Sequence, residues 1–302
     1  MIRTRKPPAL KLSGLSKKFG KNFAVRDVNM EVKSGEIFGF LGPNGAGKTT
    51  TIRMILDLAR PTSGSVEVFG ERPVNNPALR RRIGYLTGDM EFYDNLSAKR
   101  YLSLVASLSG GIDPGKISRM TKLLDVNVDK KIKELSRGNK QKVGLLAAFA
   151  RETDMLVLDE PTSGLDPLMQ RKFELLVHEY CEQGGTVFIS SHILDEVQHL
   201  CDRLAFIKDG ELAATGTLRE LTSGIRYKVE LSGSADVMEQ LKKISGITSL
   251  RLNANSAKFY IADEPGPVLA KLPLKEVADI RIAPTELDEL FTKYYESESE
   301  EA

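Results

Sequence analysis

Ile37-Phe38-Gly39-Phe40-Leu41-Gly42-Pro43-Asn44-Gly45-Ala46-Gly47-Lys48-Thr49-Thr50 is the stretch on which the fold turns. The apolar run Ile37 to Leu41 has the length and composition of a buried parallel strand, and Thr51-Ile52-Arg53-Met54-Ile55-Leu56 after it reads as a helix. A glycine-rich turn between strand and helix aims several backbone N–H groups into one concavity, at the positive end of the helix dipole. That geometry suits a phosphate chain. Gly42 to Gly47 form the cradle, Lys48 reaches the outer phosphates, and the Thr49 hydroxyl, with Thr50 beside it, is placed to ligate Mg²⁺. The stretch therefore predicts an α/β domain with a nucleotide phosphate site.

Working outward, Met155-Leu156-Val157-Leu158-Asp159-Glu160 is an apolar strand that ends in two acids. If this strand neighbours the first, Asp159 sits beside the phosphate loop and holds Mg²⁺, usually through water. Glu160, one residue on, is placed to polarise an attacking water as general base. Thr186 to Ser190 is a further buried strand. It delivers His192 to the edge where open α/β sheets place ligand-contacting groups, in reach of a γ-phosphate. His178 and His199 fall within helical patterns and read as surface residues. Ser136 and Gly138, at a helix start, form a second anion-binding nest. Phe19-Gly20 places an aromatic beside glycine on a loop; it stacks on a purine or fills an ordinary core position.

The remaining chain supplies the setting. Leu10 to Leu12 and Val25 to Val32 alternate as edge antiparallel strands do. Further elements are expected at Val66–Phe69, Pro77–Arg82, Ile83–Leu86, Ser97–Leu108, Pro114–Leu124, Gln141–Arg151 and Leu168–Glu182, then one helix after His192 and a hairpin around Asp209-Gly210. From about residue 225 the order becomes β-α-β-β-α-β, that of a ferredoxin-like module, followed by a helix over Thr285–Tyr295. The expected organisation is a basic tail over 1–9, a main domain over 10–222 with a helical insert at about 90–153, an accessory domain over 223–295 and an acidic tail over 296–302.

Composition narrows the function classes. Lys+Arg 43 against Asp+Glu 41 gives a net charge of +2, so no global field argues for nucleic acid. No apolar stretch reaches the roughly 20 residues needed to span a bilayer. The first residues lack the apolar core of a signal peptide, and two cysteines give no disulfide framework, so a cytosolic setting is expected.

Taken together, residues 10 to 222 resemble the nucleotide-binding subunit of an ATP-binding cassette (ABC) transporter. Gly42 to Thr49 correspond to the Walker A loop, Met155 to Glu160 to Walker B, and Ser163-Gly164-Leu165-Asp166 to the D-loop. Leu135-Ser136-Arg137-Gly138-Asn139-Lys140-Gln141 resembles the family's signature loop, His192 its switch histidine and Phe19 its adenine-stacking aromatic. The resemblance implies a P-loop NTPase of the ABC type with a mixed sheet core, edge antiparallel strands, a helical subdomain and a small α+β ferredoxin-like C-terminal domain. It also implies ATP and Mg²⁺ as cofactors and Glu160 and His192 as catalytic groups. Two copies would sandwich two ATPs head to tail, with Ser136, Gly138, Gln141 and Asp166 reaching the ATP of the other copy. Separate integral-membrane permease subunits would convert the motion into transport, placing this chain on the inner face of the cell membrane. The end segment Pro284 to Phe291 resembles exporters of drugs or antibiotics.

Two departures from the family pattern stand out. Gly88 occupies the position of a glutamine that touches Mg²⁺ and the attacking water; Asp89 or a water is then expected to take part of that role, or the contact is dispensed with. Arg137 replaces a glycine and Asn139 a glutamine in the signature loop, and Arg137 is expected to point to solvent. A soluble cassette ATPase of DNA repair or translation is the rival reading. The gap of about 90 residues between Walker A and signature shows no sustained heptads, and only one phosphate loop is present, which favours the transporter.

Overall fold

The computed structural model describes residues 7–109, 111–194, 196–221, 227–261 and 264–284, which divide into two compact units between Gly216 and Thr217. In chain order the first unit holds β1 (Leu10–Phe19), β2 (Asn22–Val32), β3 (Ile37–Leu41), α1 (Lys48–Ile55), β4 (Ser63–Val68), α2 (Pro77–Arg81) and β5 (Ile83–Leu86). It continues with α3 (Ala98–Ser109), α4 (Pro114–Leu123), a single 3-10 turn at Ile132–Glu134, α5 (Arg137–Phe149), β6 (Met155–Asp159), α6 (Pro167–Glu182), β7 (Thr186–Ser191), β8 (Arg203–Lys208) and β9 (Glu211–Gly216). The second unit holds α7 (Leu218–Leu221), β10 (Tyr227–Gly233), α8 (Ala235–Leu241), β11 (Ile247–Leu252), β12 (Ser256–Ile261), α9 (Pro265–Leu269) and β13 (Val277–Pro284).

The central sheet runs in the order β5-β6-β7-β3-β8-β9; its neighbours are parallel except for the β8–β9 hairpin. Every residue of β3, β6 and β7 is buried. That explains why their sequences are continuous apolar runs: a parallel strand covered on both faces has no solvent side on which to alternate. Phe188 of β7 ties the sheet together, with its ring centroid 6.0 Å from Phe38 and 5.4 Å from Phe40. A separate antiparallel sheet, β2-β1-β4, shares a core with it through Leu10, Leu12, Val25, Val28 and Ile52.

Several expectations are corrected. β1 is the middle strand of its sheet rather than an edge, paired with β2 on one side and β4 on the other. Packing begins before the expected end of the tail: Ala9 is fully buried and its carbonyl accepts from the Phe69 N–H at 2.9 Å. The signature residues from Arg137 onward lie inside α5, which starts at Arg137 instead of Gln141 because the Ser136 hydroxyl accepts from the Asn139 N–H and caps it. After His192, residues 196–200 form turns in place of a helix. The strands bearing the phosphate loop and the paired acids are not neighbours either, since β7 lies between β3 and β6. The helix expected over 285–295 and the acidic tail over 296–302 lie outside the described residues.

The second unit contains a four-stranded antiparallel sheet in the order β11-β12-β10-β13, joined along the chain as β-α-β-β-α-β. Along β12 the residues alternate, with Ala257, Phe259 and Ile261 turned into a core with Val229, Leu231, Val237 and Leu241. No described helix is long and apolar enough to cross a membrane.

Phe188→Ala removes the ring that packs on both Phe38 and Phe40. The substitution is expected to lower stability by about 3–5 kcal/mol in denaturant unfolding, and a loss under about 1 kcal/mol would show that the ring does not hold the sheet.

Candidate active site

The phosphate loop is shaped by what surrounds it. A Cβ at Gly42 would lie 2.2 Å from the Ile207 carbonyl of β8, and one at Gly47 would lie 2.3 Å from the Ala24 carbonyl of β2. Gly47 also has φ +105, a conformation that only glycine adopts without strain. Pro43, Asn44 and Gly45 are exposed at the crest of the loop, while Ala46, Gly47 and Lys48 are buried beneath it. Lys48 is 5% exposed; its Nζ donates to the Gly42 carbonyl at 2.8 Å and the Pro43 carbonyl at 3.1 Å, and lies 3.6 Å from Glu160 Oε1. Burial pushes the pKa of the Lys48 ammonium down, and the nearby Glu160 and Asp159 carboxylates oppose that shift. The loop therefore presents a cation that is committed to replaceable carbonyl partners.

Asp159, 1% exposed, anchors the other side. Thr49 Oγ1 donates to its Oδ2 at 2.8 Å, and Ser190 Oγ donates to its Oδ1. The two acids and the phosphate loop thus meet across the end of β7, which supplies Ser190 as the bridge between non-neighbouring strands. Sequence reasoning passed over Ser190. Its signal was a hydroxyl at the end of a buried apolar strand, just before His192.

Glu160 takes φ +49, a left-handed conformation rare for a residue with a side chain. Its N–H donates to the Ser190 carbonyl at 3.1 Å and contacts Ser190 Oγ at 3.2 Å, which holds the turn. The carboxylate then points between Lys48 and His192, with His192 Nδ1 at 3.1 Å from Glu160 Oε1. Five of the expected residues, Lys48, Thr49, Asp159, Glu160 and His192, form one connected group.

Of the signature residues, Ser136 and Gly138 have no contact with that group. Ser136 is exposed, and its hydroxyl also accepts from Asn139 Nδ2 at 3.1 Å. A Cβ at Gly138 would lie 2.6 Å from the Gly164 carbonyl, so glycine here lets the start of α5 meet the 163–164 turn of its own chain. Arg137 is exposed, as expected, and also donates from Nη2 to Ser163 Oγ at 3.0 Å across that same contact. Gln141, expected to face another copy, is 4% exposed; its amide donates to the Pro161 carbonyl at 2.9 Å and the Glu160 carbonyl at 3.2 Å. The amide is consumed because the carbonyls of the sharp Glu160-Pro161 turn need a donor. Asp166 is exposed and caps α6, accepting from the Met169 N–H at 3.0 Å.

Phe19 ends β1 at a hairpin tip and is 59% exposed, with Lys17 Nζ 5.1 Å from its ring centroid. The core alternative is thereby removed, and a ring face is free to stack. A Cβ at Gly88 would fall 3.5 Å from the Asp159 carbonyl, so this segment lies against the acid. Asp89 is exposed, and the contact of that residue is a backbone one, from Thr87 Oγ1 to its carbonyl at 3.4 Å. His178 and His199 are exposed, as expected.

The family model described as ABC transporter matches residues 25–163. The chain is 40% identical over 207 residues to the bacitracin transport ATP-binding protein BcrA of Bacillus licheniformis, covering 67% of this chain and 68% of that one. It is 33% identical over 278 residues to the uncharacterized ABC transporter ATP-binding protein YcbN of Bacillus subtilis, covering 89% and 90%. Among solved structures, a dimeric post-hydrolysis state of the ATP-binding cassette MJ0796 bound to ADP and Pi superposes with a TM-score of 0.64 at 26% identity, over 70% of this chain and 99% of that chain.

Gly47→Ala places a methyl group against the Ala24 carbonyl in a left-handed backbone. It is expected to cost about 1–3 kcal/mol of stability, measured by thermal unfolding, and to weaken the stabilisation that added ATP gives the native chain. Full retention of both would show that the loop relaxes around the methyl group.

Proposed function

The chain belongs to the ABC transporter family, and we propose that it is the ATP-hydrolysing half of a two-copy motor for transport, probing ATP with the connected group Lys48, Thr49, Asp159, Glu160 and His192. The convergence of these five side chains beside one phosphate loop carries the reading. ATP hydrolysis is the family's activity. In the site, Lys48 exchanges its loop carbonyls and Glu160 for the outer phosphate oxygens. The Thr49 hydroxyl and Asp159 carboxylate, hard oxygen donors already 2.8 Å apart, fit Mg²⁺, which neutralises phosphate charge when bound. Released from Lys48, the Glu160 carboxylate accepts a proton from water as that water attacks the γ-phosphorus, and the bond to the β,γ-bridging oxygen breaks to leave ADP. His192 hydrogen-bonds the γ-phosphate, and the Phe19 ring stacks on the adenine.

Half of the contacts come from a second copy. The exposed start of α5, with Ser136 and Gly138, and Asp166 at the start of α6 face the other copy's ATP in a head-to-tail pair. The dimeric form of the MJ0796 cassette supports the pairing of two copies. Gln141 serves this surface indirectly, by holding the turn of its own chain. Separate integral-membrane permease subunits receive the motion from this chain, which sits at the inner face of the cell membrane, and nucleic acid has no part in it. The bacitracin-transport relative supports a role in transport, and export is the direction of the proposal.

Glu160→Gln keeps the shape of the site and loses the base. ATP turnover is expected to fall by about 10²–10⁴-fold, while ATP addition accumulates a dimer in light scattering; undiminished turnover removes Glu160 as the base. Recovery of the chain from washed membranes with a hydrophobic polypeptide checks the coupling to transport, and its absence there favours a soluble ATPase.

A further inference from the structure

One carboxylate beside the site has no role in the scheme above. Glu196, just past His192, lines a cleft of about 180 Å³ together with Glu160, Thr162, Gln170, Ser191 and His192. Its carboxylate collects donors from three separate segments. Thr162 Oγ1 donates from the turn after β6, Gln170 Nε2 donates from α6 at 3.1 Å, and Ser191 Oγ approaches from the end of β7 at 3.4 Å. Ser191 also braces its own turn: it accepts from the Ile193 N–H at 3.0 Å and shares its proton with the Ile193 carbonyl at 3.1 Å. Thr162 is 6% exposed and Ser191 2%, so the carboxylate satisfies hydroxyls that water barely reaches.

The placement of these donors gives the contact its meaning. Thr162 belongs to Glu160-Pro161-Thr162, and Ser191 directly precedes His192. Glu160 is held in a strained backbone conformation, which persists only where the surroundings over-determine it. Gln141 grips the carbonyl side of that turn, and Glu196 grips its far end while also holding the turn that carries His192. We propose that Glu196 is a positioning residue for ATP hydrolysis: it ties the Glu160 turn to the His192 turn and so sets the Glu160–His192 contact without touching nucleotide. The link through Gln170 extends the tie to α6, whose first residues follow the 163–166 turn. This inference rests on the roles given above to Glu160 and His192.

The test uses the full chain, with kcat and KM for ATP, affinity for a fluorescent ATP analogue and thermal unfolding measured together. Glu196→Ala is expected to lower kcat by about 10- to 100-fold, with KM and nucleotide affinity held within about twofold. Glu196→Gln, which retains an acceptor oxygen, is expected to recover part of the loss. In a His192→Ala background, Glu196→Ala is expected to add little, because the two act on the same contact. A kcat within about twofold of wild type, a KM that rises as kcat falls, or losses that multiply with His192→Ala would each overturn the proposal. If Glu196→Ala fails to fold, Thr162→Val breaks the same tie, and the same kcat loss, constant KM and non-additivity with His192→Ala are required of it. A His192→Ala chain at full rate overturns the role of His192 and this inference with it. A slowed His192→Ala chain whose loss multiplies with that of Glu196 overturns this inference alone.

Discussion

The buried carboxylate of Asp159 is the constraint on which the site depends. An ionised group taken out of water is costly unless hydrogen bonds replace its hydration, and here the hydroxyls of Thr49 and Ser190 do so from two different elements. Those two bonds bring the start of α1 and the ends of β6 and β7 to one point, although β3, which leads into α1, and β6 are not adjacent in the sheet. The phosphate loop and the paired acids are therefore joined at the C-terminal ends of the strands by side-chain chemistry and through β7, which pairs with both β3 and β6. The same oxygens suit a hard divalent cation, so the bond that organises the protein also marks where the charge of a phosphate chain is met.

Glu160 shows how the surrounding structure holds a reactive group in place. Its positive φ turns the carboxylate away from the strand axis and toward Lys48 and His192. A strained residue of this kind needs external restraint, and it has restraint on each side: Ser190 on its N–H, Gln141 on its carbonyl and that of Pro161, and Glu196 on Thr162 beyond. Lys48 is poised in a related way. Its ammonium is desolvated and satisfied by the carbonyls of Gly42 and Pro43, partners weaker than a phosphate oxygen.

The start of α5 reads differently in space from how it reads in sequence. Ser136, exposed at its cap, is available to another molecule, while the residues that follow are fastened to their own chain. Gly138 meets the Gly164 carbonyl, Arg137 reaches Ser163, and Gln141 reaches the catalytic turn. Arg137 thus has a partner within its own chain, where a glycine would have none. The exposed Ser136 is in this way joined through α5 to the turn that carries Glu160.

What the amino-acid sequence determined on its own is local. Glycines at Gly42 and Gly47, an apolar run before them and a helix pattern after them specify a phosphate loop, because the backbone conformation and the close approach admit little else. The apolar runs of β6 and β7 likewise announce buried strands, and the β-α-β-β-α-β order of the second unit follows from alternation and turns. Tertiary structure alone decided the rest. Strand order in a parallel sheet is set by long crossovers and not by neighbouring residues, so the insertion of β7 between β3 and β6, and with it the role of Ser190, could not be read from spacing. Glu196 was equally hidden: one of two adjacent acids in a mixed stretch acquires its meaning only when Thr162, Gln170 and Ser191 are folded onto it from three separate segments.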